Sequence, residues 1–356
     1  MAKNAASGKV LLVLGSILFC LTVFLIGEFT TRYFSNITFF GNSKNLFLPK
    51  AFGLSLGNAK NIEAVSFGSK VFTDQYGFRI PEHQTSRSKA SKQEALFILG
   101  DSVAFGPGLD EEKTFSGMLR AEFPDLEVYN SSVIGYSTRD YRNVINSFPL
   151  AAKGIDHVFL LFCLNDISNE SAKEIKQFID DSRNVNRSNG QLTHAQSFVD
   201  ILKGFEFFGA MNEFLRSNSK LYLLLKGILT DPQARYWEAD YRLYLEANHA
   251  RFLSSMQELA DIAATLRKDG IPFTVIIAPY EFQLRSPDEA TLLPQRKLQD
   301  YFARHSIDYI DSTPWFIKQH TESRKFFLAY DPMHFSAQGH KLIYNIIVDR
   351  PGLFSR

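Results

Sequence analysis

ALFILGDSVAFGPG, residues Ala95–Gly108, is the stretch on which the fold turns. Five apolar residues, Ala95 to Leu99, run unbroken into Gly100, Asp101 and Ser102, with Gly106 and Gly108 just beyond. A short continuous apolar run closed by turn residues reads as a strand buried on both faces. Its end leaves two readings open. It is an ordinary strand-to-loop transition, or the strand exists to present the Ser102 hydroxyl.

Downstream the same pattern recurs. LEVYNSSV (126–133), HVFLLFCL (157–164), FTVIIA (273–278) and IDYID (307–311) are further strand candidates. Between them lie helical stretches, EEKTFSGMLRAEF (111–123), STRDYRNVINSF (137–148) and HARFLSSMQELADIAATLRKDG (249–270), the last closing on Gly270 as a C-terminal cap. Alternating strands and helices predict a doubly wound α/β domain that binds ligands at the carboxyl ends of its strands. One interval is too long for a loop: about seventy-five residues separate the third strand from the helix near Tyr241. It holds FVDILKGFEFFGAM (198–211) and KLYLLLKGIL (220–229). This insertion, at about 168–245, reads as a helical subdomain, or as a lid or acyl-chain surface that touches a membrane.

Upstream, VLLVLGSILFCLTVFLIG (Val10–Gly27) is eighteen residues without a charge, flanked by Lys3 and Lys9 before it and by Glu28 and Arg32 after it. As a helix it would be about 27 Å long, close to a bilayer's hydrocarbon thickness. A cleaved signal peptide or a soluble core helix are the rivals. The run exceeds a usual signal h-region and no A-x-A-like site follows, so an uncleaved anchor is expected. The positive flank predicts a cytoplasmic tail over 1–9, the anchor over 10–27 and the rest outside the cytoplasm, periplasmic or extracellular, with a bacterial inner membrane as the expected site. Residues 28–93 read as an extracytoplasmic connector ending in the polar HQTSRSKASKQ (83–93); within it, VFTDQYGFRIPE (71–82) places Gly77 in a turn between two short extended pieces.

Composition narrows the function. Of 356 residues, 45% are hydrophobic and 22% charged, which is globular rather than disordered. A net charge of +1 with no long basic run gives no sign of a nucleic-acid partner. The two cysteines, Cys20 and Cys163, lie in apolar runs and make neither a disulfide framework nor a zinc site. No His-x-x-x-His pair, Cys-x-x-Cys pair or phosphate-binding glycine loop appears, so no metal or organic cofactor is expected.

A hydroxyl nucleophile needs a base, a group to orient that base, and donors for the oxyanion. The strand ends offer such groups in sequence. They are GDSVAFG (Gly100–Gly106), NSSVIGYST (Asn130–Thr138), LND (Leu164–Asp166) and, before the last helix, DPMH (Asp331–His334). Taken alone, Asp-x-x-His is often a cap, Asn165-Asp166 is turn chemistry and Gly135 is a turn glycine. Together, in this order, they resemble the SGNH hydrolases, also called GDSL-type esterases and lipases. The resemblance runs from about Ala95 to the C-terminus, the insertion apart. TDQYGFR (Thr73–Arg79) is similar to an element preceding the hydrolase domain in envelope-anchored members.

The resemblance implies a flavodoxin-like three-layer α/β sandwich with about five parallel strands over 94–356. It also implies roles: Ser102 as nucleophile, His334 as general base and Asp331 as the residue holding its ring. The oxyanion donors would be the Ser102 and Gly135 backbone N–H groups and the Asn165 side-chain amide. Asp101 and Asp166 are expected to be structural, and His340 to pack or cap. Where the family often has glycine two positions before the asparagine of the third block, this chain has Cys163, which is small and apolar enough for a buried strand end. No basic neighbour lowers its pKa, so it does not read as a nucleophile. Three functions follow: an anchored extracytoplasmic ester hydrolase acting on an acylated glycan, lipid or small ester; an O-acyltransferase sharing the acyl-enzyme; or a catalytically silent envelope protein that binds partners through the insertion.

Overall fold

A computed structural model describes residues 2–82, 94–167, 206–319 and 322–350. The chain divides into two compact units, residues 1–40 with 193–231, and residues 41–192 with 232–356.

In the first unit, Ala2–Phe34 is one continuous helix, and its stretch Leu12–Phe34 is long and apolar enough to cross a bilayer. Its leucines, isoleucines and phenylalanines face outward, Leu12 at 73% exposure and Phe19 at 70%. A globular core would have buried such residues. The described part of the insertion here is helical, as Glu206–Asn218 and Lys220–Thr230. Glu28 ties the second of these to the long helix. Its carboxylate accepts from the Ser219 hydroxyl (2.7 Å) and from the backbone N–H groups of Lys220 and Leu221 (both 3.0 Å). A helix N-terminus with its unpaired N–H groups is thus satisfied by a carboxylate from a distant part of the sequence. The expected segment up to residue 205 lies outside the described residues.

The second unit is organised by an eight-stranded sheet. Five of its strands are those read from the sequence: β6 (Ala95–Gly100), β7 (Glu127–Asn130), β8 (His157–Phe162), β9 (Phe273–Ile277) and β10 (Asp308–Asp311). They are parallel and lie in the order β10-β9-β8-β6-β7. That is the 2-1-3-4-5 order of a flavodoxin-like sheet, which reverses direction at β6. Every residue of β6, β8 and β9 is buried, which accounts for their nearly continuous apolar runs. Helix Thr138–Ser147 packs beside His249–Lys268, and Phe115–Glu122 beside Ala337–Val348.

The connector reading of 28–93 needs correcting. β3 (Glu63–Ser66), β4 (Ser69–Thr73) and β5 (Arg79–Ile80) extend the main sheet, antiparallel to one another, and β5 joins antiparallel to β7 through Arg79 opposite Asn130. β1 (Phe47–Phe52) and β2 (Ser55–Asn58) form a separate hairpin. These strands are two to six residues long and β3 alternates exposed with buried positions, so no apolar run announces them. Gly77 does occupy the turn between β4 and β5, at φ +83°. The polar stretch 83–93 lies outside the described residues.

Candidate active site

β6 ends where its sequence predicts a turn. Asp101 caps the short helix Ser102–Phe105, its Oδ1 accepting from the Val103 N–H at 2.8 Å. Gly100 has to be small, because a Cβ there would lie 2.3 Å from the Ala104 Cβ. Gly106 closes the helix in the left-handed conformation (φ +73°), its N–H donating to the Ser102 carbonyl at 2.9 Å. Ser102 thus sits, 6% exposed, at the carboxyl end of the strand where the sheet order reverses.

His334 reaches Ser102 from the segment before the last helix. Its Nε2 is 2.8 Å from Ser102 Oγ, and its Nδ1 is 2.7 Å from Asp331 Oδ2. The other Asp331 oxygen accepts from the backbone N–H groups of Met333 (3.0 Å) and His334 (2.8 Å). Asp331 is 2% exposed, so its charge acts on the imidazole through little solvent. Burial pulls the His334 pKa down, but the charge and hydrogen bond of Asp331, with Asp101 nearby, outweigh it and leave it above the usual 6.5. The three residues form one hydroxyl–imidazole–carboxylate chain, the arrangement a base-activated serine needs.

The other predicted residues stand on the two strands flanking β6. Beyond β7, Ser131 stitches the chain to β6 through its N–H (3.0 Å) and hydroxyl (2.8 Å), both to the Ile98 carbonyl, and Val133 N–H reaches the Gly100 carbonyl at 3.3 Å. This brings the turn holding Gly135 to the Ser102 end of the sheet, with Gly135 at φ +84°, a conformation a side chain disfavours. Beyond β8, Asn165 lies on a 3₁₀ turn, Leu164–Ile167, held by Tyr244 Oη to the Leu164 carbonyl (2.8 Å) and Ser255 Oγ to the Ile167 carbonyl (2.6 Å). Asn165 Oδ1 is buried with no hydrogen-bond partner among the described residues.

Three neighbours are held in place by burial, hydrogen bonds and ring packing. Asp166 accepts from Tyr141 Oη and from the Cys163 N–H, both at 2.8 Å, and burial raises its pKa well above the carboxylate range. Cys163 is fully buried, and burial likewise raises its thiol pKa, which keeps it a poor nucleophile. His340 packs between Phe115 and Phe335, and burial lowers its pKa to about 3.

Sequence reasoning missed two groups. Arg79, the last residue of TDQYGFR, is fully buried and donates to the carbonyls of Phe105, Gly106 (2.8 Å) and Leu109, the loop that follows the Ser102 turn. Glu111 pairs with it at 3.2 Å and also with Arg120. No spacing rule signals such a residue, because its partners are carbonyls. Asp240, from helix Pro232–Tyr241, accepts from Tyr280 Oη at 2.6 Å, and burial raises its pKa to about 7.

No protein-family model and no curated protein matches the chain. Among solved structures, an alpha/beta hydrolase enzyme from the metagenome of Lake Arreo is 16% identical, over 71% of this chain and 92% of its own, with a TM-score of 0.40. A lipolytic protein of the G-D-S-L family from Veillonella parvula is 12% identical, over 73% and 100%, also at 0.40. A catalytic mutant of Axe2, an acetylxylan esterase from Geobacillus stearothermophilus, is 13% identical, over 76% and 100%, at 0.42. The likeness to the SGNH hydrolases rests on the four sequence blocks and the strand order of the chain itself.

Proposed function

We propose that the chain is a membrane-anchored serine hydrolase that cleaves carboxylic esters outside the cytoplasm. The observation that carries this reading is the continuous contact from Ser102 Oγ through His334 to Asp331. Ser102 attacks the acyl carbonyl while His334 Nε2 takes its proton, and Asp331 stabilises the imidazolium. The tetrahedral oxyanion is held by the N–H groups of Ser102 and Gly135 and by the Asn165 amide. His334 then protonates the leaving alcohol. Water, deprotonated by the same imidazole, releases the acid from the acyl-enzyme and regenerates Ser102.

Residues 10–27 hold the enzyme to the bilayer, with Lys3 and Lys9 on the cytoplasmic side. The outward apolar face of the long helix supports this reading. The test is hydrolysis of p-nitrophenyl esters of graded chain length by the detergent-solubilised full chain and its Ser102→Ala variant. Turnover that disappears in the variant supports the proposal, and equal turnover by both overturns it.

A further inference from the structure

The β3–β4 hairpin turns on two residues, Phe67 and Gly68, with Ser66 paired to Ser69. Both turn residues have positive φ, +48° and +85°. Hairpin turns of this kind favour Asn-Gly, because asparagine and glycine enter left-handed backbone cheaply and a bulky residue does not. A phenylalanine at the first position is therefore a strained choice. The tip is fastened on its Ser66–Phe67 side. Phe67 N–H donates to the Gly41 carbonyl (2.8 Å), Ser66 Oγ donates to Asn42 Oδ1 (2.6 Å), and the Ser66 carbonyl accepts from the Gly108 N–H (3.1 Å) just past the nucleophile turn. Strain over-determined in this way concentrates at functional sites.

The Phe67 ring meets His334. The two ring centroids are 5.5 Å apart at an interplanar angle of 83°, an edge-on contact. Hydrogen bonds at Nδ1 and Nε2, with the covalent bond at Cγ, set the imidazole plane but leave the side chain small tilts about χ1 and χ2. A ring packed edge-on removes that freedom. The His334 side chain is 14% exposed with this contact in place.

We propose that Phe67 is a positioning residue for the general base, so that the N-terminal strand extension is a working part of the active site. This rests on the hydrolase reading above. Phe67 acts through His334: it holds the imidazole in the plane that serves both Asp331 and Ser102.

The experiment is p-nitrophenyl acetate hydrolysis by the solubilised full chain and its Phe67→Gly, Phe67→Asn and Phe67→Tyr variants. Glycine and asparagine both accept positive φ, so the turn survives loss of the ring. One aromatic contact corresponds to a drop in kcat of about three- to tenfold for Phe67→Gly and Phe67→Asn. KM should stay within about twofold, and Phe67→Tyr should match the wild type. An unchanged kcat overturns the proposal. So does a loss confined to KM, which would make Phe67 a pocket wall, and so does a Tyr variant as slow as the Gly variant. A wild-type protein that neither hydrolyses the ester nor acylates Ser102 fails at the hydrolase reading instead, and the two failures are thereby distinct.

Discussion

Replacing Asp331 by asparagine should disable the base by changing its tautomer, with the fold intact. Asp331 Oδ1 accepts from two backbone N–H groups, at 3.0 and 2.8 Å, and so must be an oxygen. The asparagine NH₂ then occupies the Oδ2 position, 2.7 Å from His334 Nδ1, and donates where the carboxylate accepted. Turning the amide over would leave two backbone donors facing an NH₂, about 1–3 kcal/mol each. That exceeds what the correct tautomer would recover. His334 is then held with its proton on Nε2, pointing at Ser102 Oγ 2.8 Å away, and cannot accept a proton from it. A base in the wrong tautomer loses on the order of 10⁴ in kcat, about 5.5 kcal/mol of barrier. The assay is steady-state p-nitrophenyl acetate hydrolysis, with imidazole ¹⁵N shifts reporting the tautomer and a melting curve reporting the fold. A folded Asp331→Asn protein within about tenfold of wild type would refute the reasoning.

Other consequences follow from the same geometry. Removing the Asn165 amide in Asn165→Ala should lower kcat by about 10²–10³, with the melting temperature little changed; a loss confined to KM would remove Asn165 from the oxyanion site. Because His334 must be neutral to act and its pKa lies above 6.5, kcat/KM should rise with pH through a midpoint above that value, and Asp331→Asn should move the midpoint down. By the same linkage, the His334–Asp331 pair contributes stability that is fully present below pH 6.5 and lost as pH rises through the folded-state pKa. Arg79→Met leaves Glu111 with one cation and three carbonyls without their donor; urea titration should show a loss of about 3–5 kcal/mol, and a loss under about 1 kcal/mol would show that the network is dispensable.

The parallel half of the fold was legible because burial on both faces makes β6, β8 and β9 almost wholly apolar, His157 and Thr274 apart. Asp331 and His334 were legible for a related reason. A polar group at a strand end or before a helix is conspicuous against an apolar run. The strand extension was hidden, since β5 is two residues long and pairs to β7 through a single register position. Its two most consequential side chains were hidden with it. Arg79 binds backbone carbonyls, which no sequence pattern records, and Phe67 touches a residue 267 positions away through ring packing. Phe67-Gly68 does carry a signal in hindsight: phenylalanine where a two-residue turn favours asparagine.

The central claim is that Ser102 is a nucleophile activated by His334. Its most direct measurement is the intact mass of the solubilised chain after exposure to a fluorophosphonate, with the adduct mapped by peptide sequencing. One phosphonyl group on Ser102, accompanied by loss of ester hydrolysis and absent from Ser102→Ala and from Asp331→Asn, is the predicted result. An unmodified Ser102 in a folded protein that still hydrolyses esters would contradict it.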